Sequence, residues 1–137
     1  LQNVAASLLG SAASAMTDVT GFGLAGHLMT ILDASDISAD LNLEDIPFLP
    51  GAHTLSKLGI RSSLWPLNSQ ISTHMSLSQS VKTDLLFDPQ TCGGLLACVP
   101  ADKAEKLQSK FEAAGEAIWK IGVIKQQQTP RITVKTG

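Results

Sequence analysis

The sequence predicts a single layered domain of the α/β class. Stretches with helical spacing alternate along the chain with short apolar runs that are typical of strands, and this order favours helices packed on a sheet. The chain has 137 residues, which is enough for one hydrophobic core. Apolar residues make up 44% of the sequence, an ordinary fraction for a globular protein. Residues 1–137 are therefore predicted to form one domain.

In the first half of the chain, the spacing of apolar residues predicts helices and strands in turn. Residues 4–15 are small and favour a helix. Leu24, Leu28, Ile31 and Leu32 fall on one face of a second helix. Alternation at period two across residues 37–43 predicts a half-buried strand. The predicted elements are a helix at 4–15, a strand at 15–19, a helix at 22–34, a strand at 37–43, a loop with two prolines at 46–51 and a short helix at 52–58.

The second half is predicted to place a long loop before a strand–helix–strand run. Residues 61–76 have no clean period and many Ser and Asn, which favours an ordered loop. The nearly continuous apolar run 94–99 predicts a strand buried on both faces. The other predicted elements are a short helix at 78–86, a turn at 88–91, a helix at 100–114 and strands at 118–124 and 132–134. The inner stripe of the helix at 100–114 is predicted to be Ala104, Leu107, Phe111 and Ala114.

Composition argues against several classes of partner. The formal net charge is −2 and no basic cluster is present, so neither nucleic acid nor an anionic membrane surface is expected as a partner. No apolar run approaches the roughly 20 residues of a transmembrane helix. The first residues lack an initiator Met and a basic segment, which is typical of a piece of a longer chain. Cys92 and Cys98 are too far apart along a strand to form a disulfide, so reduced thiols in a cytoplasmic protein are expected.

A carboxylate, a hydroxyl and a glycine-rich turn stand together before the second predicted helix. Residues 17–28 read Thr-Asp-Val-Thr-Gly-Phe-Gly-Leu-Ala-Gly-His-Leu. A helix N-terminus favours negative charge, and glycines let a phosphate approach backbone N–H groups. Mg²⁺ usually binds one or two carboxylates together with substrate phosphates. The stretch therefore indicates a magnesium–phosphate site with Asp18 as the metal ligand, although helix capping by Asp18 or Thr20 explains the same residues.

A dinucleotide site is a second interpretation of the same stretch. Gly21, Gly23 and Gly26 match the G-x-G-x-x-G pattern, and Asp40 lies near the end of the next predicted strand. The segment before the first glycine is short and polar, which argues against a dinucleotide site, because such a site needs a long buried strand there. Asp18 would also place a negative charge beside a pyrophosphate with no metal between them.

Single residues suggest further chemistry. Cys92 is a candidate nucleophile with one of the three histidines as its base, but no spacing selects a partner, and replacement of a turn Ser explains it as well. Metal binding by the cysteines and histidines lacks a C-x-x-C or H-x-x-x-H pair. His27 is predicted to be structural, with contact to a phosphate as the alternative. Trp65 and Trp119 are predicted to be packing anchors.

A second stretch repeats the combination of an acid, a hydroxyl and glycines. Residues 88–96 read Asp-Pro-Gln-Thr-Cys-Gly-Gly-Leu-Leu. Together with residues 17–28, this stretch resembles the C-terminal domain of selenophosphate synthetase, also called selenide, water dikinase. Residues 46–52 and 117–123 are similar to the same family, so the resemblance covers nearly the whole chain.

The resemblance implies a fold and a chemistry. The fold is a layered α/β/α domain on a mixed sheet, shared with the C-terminal domain of aminoimidazole ribonucleotide synthetase and here missing its first strands. The family makes selenophosphate from selenide and ATP, releasing AMP and phosphate. The resemblance implies that Asp18 binds Mg²⁺ and that Thr20, Gly21 and Gly23 face the phosphates of ATP. The family's reactive residues lie in an N-terminal part, so no catalytic residue is expected here, and this chain alone is expected to be inactive.

Departures from the family pattern leave alternatives open. Cys92 stands where the family usually has Ser, and residues 62–68 keep only Asn68 of a Gly-rich, Arg-Asn pattern. A paralogue with another phosphoryl acceptor, or a non-catalytic interaction or regulatory module, is consistent with these differences. Missing strands would leave a sheet edge open, and open edges tend to pair, so a homodimer is expected.

Overall fold

Helices and strands alternate along residues 2–136, the part of the chain that the computed structural model describes. The α-helices in this part are α1 (Asn3–Gly10), α2 (Gly23–Ser35), α3 (Ala52–Lys57), α4 (Trp65–Asn68), α5 (Val81–Asp84) and α6 (Ala101–Ala113). The strands are β1 (Ala15–Asp18), β2 (Ile37–Asn42), β3 (Met75–Ser76), β4 (Leu95–Cys98), β5 (Gly122–Gln126) and β6 (Ile132–Lys135). Short 3-10 helices lie at Leu43–Asp45, Ser69–His74 and Leu85–Phe87. This order confirms the predicted α/β class.

Strands β3, β6, β2 and β5 form a mixed sheet in that order. β6 is parallel to both β3 and β2, whereas β5 is antiparallel to β2. The antiparallel pair sets Asp40 opposite Val123, and the parallel pair sets Asp40 opposite Thr133. A mixed sheet is the arrangement that the family resemblance implies, and this prediction is confirmed.

The strand β2 is buried over most of its length. The strand predicted at 37–43 is confirmed, but its predicted half-burial is wrong, because residues 38–41 are all buried. The reason is that β2 has a strand on each side and contacts α2, so little of it reaches water. Its two buried polar residues, Ser38 and Asp40, have partners, because the Ser38 hydroxyl accepts the Gln128 N–H at 2.8 Å and Asp40 lies 2.7 Å from the Lys135 amine. These two polar groups therefore keep their partners although they are buried.

Strands β1 and β4 form a separate two-stranded antiparallel sheet. The register sets Ala15 opposite Cys98 and Asp18 opposite Leu95. The strand predicted at 94–99 is confirmed, but its predicted burial on both faces is wrong, because only Leu96 is buried in β4. Within residues 2–136, β4 has one neighbouring strand, which leaves its other edge uncovered by the sheet. This small sheet places the two glycine-rich stretches side by side.

The main core fills the space between α2 and the mixed sheet. Ala25 and Leu32 of α2, Ile132 of β6 and Leu86 of the 3-10 helix are completely buried in it. The helical spacing predicted for residues 22–34 is confirmed, because Leu28 and Leu32 lie on the buried face. Since α2 is fixed by this core, the turn that precedes it has a rigid support.

A smaller core lies between α1 and α6. Leu9, Leu107 and Phe111 are its buried members. Ala104 and Ala114 are exposed, so half of the predicted inner stripe of α6 is wrong. The helix contacts α1 over a narrow strip, and two large side chains one turn apart are enough to cover it.

Several element boundaries differ from those predicted. The predicted loop at 61–76 contains α4, a 3-10 helix and β3, and the predicted helix at 78–86 is helical only from Val81. The predicted helix at 4–15 ends at Gly10, and the predicted strand at 118–124 begins at Gly122. Short elements of this kind carry too few apolar repeats to show a period in the sequence.

The two tryptophans have different surroundings. The Trp65 indole donates its Nε1–H to the Asp84 carbonyl at 2.8 Å and packs edge-on against Phe87, so the predicted packing role is confirmed. Trp119 is 55% exposed, and the predicted packing role is wrong for this residue, which lies outside the helices and strands. None of the helices in residues 2–136 combines the length and the apolar character needed to cross a membrane.

Candidate functional site

The two glycine-rich stretches meet at the ends of β1 and β4. Beyond the strand pairing, the Val19 N–H donates to the Gly94 carbonyl at 3.0 Å, and the Gln90 N–H donates to the Thr20 carbonyl at 2.9 Å. Gly93 lies directly against the Val19 carbonyl. The stretches are about 70 residues apart in sequence, yet they pair with each other just before the start of α2.

Asp18 is the last residue of β1, and its side chain is exposed. Within residues 2–136, its carboxylate takes part in no ion pair and accepts no hydrogen bond. In the same part of the chain, no three His, Cys, Asp or Glu side chains come together as a metal cluster. Asp18 is thus a single carboxylate at the surface with both oxygens available for a ligand.

Thr20 is bonded to His27 and does not cap α2. Its backbone N–H donates to His27 Nε2 at 3.0 Å, and its hydroxyl lies 3.1 Å from the same nitrogen. Because Nε2 accepts this bond, the proton of the neutral imidazole is on Nδ1. No side chain of the described residues caps α2, so helix capping by Asp18 or Thr20 is wrong. The predicted structural role of His27 is confirmed by this bond.

The turn between Thr20 and Gly23 has two free donors. The Gly23 N–H donates to the Thr20 carbonyl at 3.1 Å, whereas no hydrogen bond within residues 2–136 uses the N–H of Gly21 or of Phe22. The Phe22 side chain is 62% exposed. Two backbone N–H groups in succession before an uncapped helix are a recognised arrangement for binding an anion.

Gly23 allows the helix to begin close to the second stretch. Its φ is +70°, a left-handed conformation that favours glycine. A Cβ atom at this position would lie 2.9 Å from the Leu86 carbonyl oxygen and 3.0 Å from that of Asp88. Gly23 therefore serves the fold of the turn, and its N–H is already bonded within it.

Asn68 joins the turn to the segment before the second stretch. Its side chain is 7% exposed, and its Nδ2 donates to the Gly21 carbonyl at 2.9 Å and to the Phe87 carbonyl at 3.0 Å. The contact between Asn68 and Gly21 could not be predicted from the residues alone, because the two are 47 positions apart in sequence. The available signal was that Asn68 is the part of the family pattern that residues 62–68 keep.

The dinucleotide interpretation does not fit the structure. β1 has four residues and an antiparallel neighbour, whereas a dinucleotide site needs a parallel strand–helix–strand unit. The strand after α2, which is β2, lies in the other sheet. The Asp40 carboxylate lies 2.7 Å from the Lys135 amine and 3.8 Å from that of Lys125, so it is engaged within the protein.

Both cysteines are free thiols, as predicted. Cys92 is exposed on the second stretch, and within residues 2–136 its sulfur has no hydrogen bond to a histidine that could act as a base. Cys98 is half-buried in β4, and burial raises the pKa of its thiol because it disfavours the charged thiolate. The candidate nucleophile Cys92 therefore has no hydrogen-bonded base among the described residues.

The two thiols are expected to react at different rates. A raised pKa leaves less thiolate at a given pH, so Cys98 should be alkylated by iodoacetamide more slowly than Cys92 at mildly alkaline pH. Mass spectrometry of the two peptides at successive times measures both rates. In denaturant the rates should converge, since burial is removed. Equal rates in the folded protein would show that Cys98 is accessible.

The sequence of this α/β domain matches a known family of C-terminal domains. The chain belongs to the family described as AIR synthase related protein, C-terminal domain, whose model matches residues 1–135. At the level of individual proteins, the chain is similar to "Selenide, water dikinase" of Sulfurovum sp. (strain NBC37-1), with 42% identity over 113 residues. That match covers 79% of this chain and 32% of the relative.

Two further relatives carry related names. "Selenide, water dikinase 2" of Peptoclostridium acidaminophilum is 34% identical over 120 residues, which cover 85% of this chain and 35% of the relative. "Selenide, water dikinase" of Nitratidesulfovibrio vulgaris (strain ATCC 29579) is 31% identical over 132 residues, which cover 89% of this chain and 36% of the relative. The chain thus spans about a third of the length of these relatives. They confirm the predicted resemblance to the C-terminal domain of selenophosphate synthetase.

Proposed function

We propose that this chain forms the C-terminal domain of a selenophosphate synthetase and provides one wall of its Mg²⁺–ATP site. The enzyme would make selenophosphate from selenide and ATP, with release of AMP and phosphate. The names of the relatives support this activity, and their identity of 31% to 42% extends over most of the chain. Because the chain spans about a third of those relatives, the activity is proposed for a longer protein that contains it.

The Asp18 carboxylate, which has no partner among residues 2–136, is the observation that carries the proposal. A surface carboxylate next to two free backbone N–H groups suits a phosphate that is bridged to the protein by Mg²⁺, which prefers oxygen ligands. Asp18 would hold the metal ion. Gly21 would face the phosphates with its N–H, Thr20 with its hydroxyl, and Gly23 would keep the turn in place, since the N–H groups of Thr20 and Gly23 are bonded internally.

The same proposal assigns the remaining parts of the reaction to residues outside this chain. Phosphoryl transfer needs metal ions, cations and positioning groups together, so Asp18 and one turn cannot catalyse it by themselves. ATP and selenide would therefore bind between this domain and an N-terminal part, and this chain alone would be inactive. We also propose a homodimer, in which unpaired sheet edges are covered, and a cytoplasmic location, where the two free thiols stay reduced.

An assay of the full-length protein tests the proposal. With ATP and Mg²⁺, AMP formation is expected to depend on added selenide, and ³¹P NMR should show selenophosphate. The 137-residue chain under the same conditions should form no AMP. Selenide-independent phosphorylation of another acceptor would indicate a paralogue with different chemistry. Absence of ATP binding by the full-length protein would indicate a non-catalytic module.

A further inference from the structure

The orientation of each free N–H group of the turn is set by the bonds that hold the carbonyl of the same peptide unit. In a trans peptide, the carbonyl of one residue and the N–H of the next point in opposite directions. The Thr20 carbonyl accepts from the N–H groups of Gly23 at 3.1 Å and Gln90 at 2.9 Å. The peptide between Thr20 and Gly21 is therefore held by two backbone donors, and the Gly21 N–H is directed away from them.

The next peptide unit depends on a side chain. The Gly21 carbonyl accepts from Asn68 Nδ2 at 2.9 Å, and no backbone N–H of residues 2–136 outside the helices reaches it. Since the Gly21 carbonyl and the Phe22 N–H share one peptide unit, the bond from Asn68 directs the Phe22 N–H outward. Without that bond, the same peptide could rotate and present its carbonyl oxygen, which would repel a phosphate.

Asn68 is itself held in a single orientation. Its second amide hydrogen donates to the Phe87 carbonyl at 3.0 Å, and the reversed amide would place its oxygen against two carbonyl oxygens. Phe87 is 3% exposed and packs edge-on against Trp65, whose indole is bonded to the Asp84 carbonyl at 2.8 Å. The carboxamide therefore has little freedom to move, so it can fix the peptide that it contacts.

We infer that Asn68 is a positioning residue for the phosphates of ATP, acting through the peptide between Gly21 and Phe22. It contacts no reacting atom, and its effect is to keep the Phe22 N–H directed at the ligand. This inference rests on the proposed function, because it requires a phosphate at this turn. It also gives a physical reason for an Asn at position 68, where a carboxamide with two donors meets two carbonyl oxygens.

Asn68→Asp in the full-length protein tests the inference. Asp has the same shape but lacks both donors, so it repels the two carbonyls that Asn68 binds. Loss of one N–H bond to a charged phosphate is expected to raise KM for ATP about tenfold or more, with a smaller change in kcat. Asn3→Asp, at an exposed position in α1, adds the same charge and should leave KM and kcat unchanged.

Amide NMR gives a readout independent of turnover. On titration of the full-length protein with Mg²⁺ and ATP in the absence of selenide, the Gly21 and Phe22 amide signals should shift by more than those of Thr20 and Gly23. In Asn68→Asp the Phe22 shift should be lost. If that variant does not fold, the wild-type titration still decides, because a Phe22 signal that stays fixed while Gly21 shifts overturns the role of Asn68.

The outcomes separate the inference from the proposed function. If the wild-type protein is active and Asn68→Asp has the same KM for ATP, the positioning role is overturned and the proposed function stays intact. If the wild-type protein is active but neither the Gly21 nor the Phe22 amide signal shifts on ATP titration, the phosphates bind elsewhere and the inference is overturned. No turnover and no ATP binding by the wild-type protein overturns the proposed function, and the inference with it.

Discussion

Asp18→Asn in the full-length protein is expected to lower kcat/KM for ATP by about a hundredfold or more, with no loss of thermal stability. A metal ion contributes several kcal/mol of charge stabilisation to a phosphoryl-transfer transition state, and each 1.36 kcal/mol is about tenfold in rate. A carboxamide has no charge and binds Mg²⁺ weakly, so much of that contribution should be lost. Folding should be unaffected, because the Asp18 carboxylate is exposed and has no ion pair within residues 2–136.

Three measurements distinguish this result from a general loss of function. These are kcat/KM for ATP, the Mg²⁺ concentration that gives half-maximal rate, and the melting temperature. The half-maximal Mg²⁺ concentration should rise in Asp18→Asn. Glu105→Gln, at an exposed position of α6 beyond its first turn, makes the same charge change far from the turn in sequence and should alter none of the three. Wild-type rates in Asp18→Asn would remove Asp18 from the metal site.

The sequence predicted the parts of the site that depend on residues close together along the chain. The helix after the glycine turn carries its own apolar period, so α2 and its buried face followed from Leu28 and Leu32. Asp18 and the turn precede that helix directly, and their position at its start follows from chain continuity. The helix α6 was also predicted, with its two large buried residues, because Leu107 and Phe111 are one turn apart.

Features that depend on distant residues could not be predicted in this way. Whether Ala104 is covered, or Trp119 exposed, depends on which element lies opposite, and no local period contains that information. The contact of Asn68 with the Gly21 carbonyl joins residues 47 positions apart through a short helix without a clear pattern. The pairing of the two glycine-rich stretches is likewise a tertiary feature, although each stretch was recognised by its own composition.

The close approach of those two stretches predicts a large effect for Gly93→Ala. A Cβ atom at Gly93 would lie 2.3 Å from the Val19 carbonyl oxygen, which is far inside van der Waals contact. Neither backbone can move freely, because the Val19 N–H is bonded to the Gly94 carbonyl and the Val19 side chain is in the main core. Forcing them apart should lower the free energy of unfolding by about 1–3 kcal/mol.

Gly93→Ala should lower kcat/KM as well as the free energy of unfolding, because Asp18 and Thr20 adjoin the displaced Val19. A shift of about 1 Å in a positioning group can reduce the rate about a hundredfold. The neighbouring substitution is a matched control, since a Cβ at Gly94 meets no atom within 4 Å and Gly94 has no positive φ. Gly94→Ala should therefore keep both stability and kcat/KM, as measured by denaturant unfolding and the selenide-dependent assay. If the two variants behaved alike, the contact between Val19 and Gly93 would not be what holds Asp18 in place.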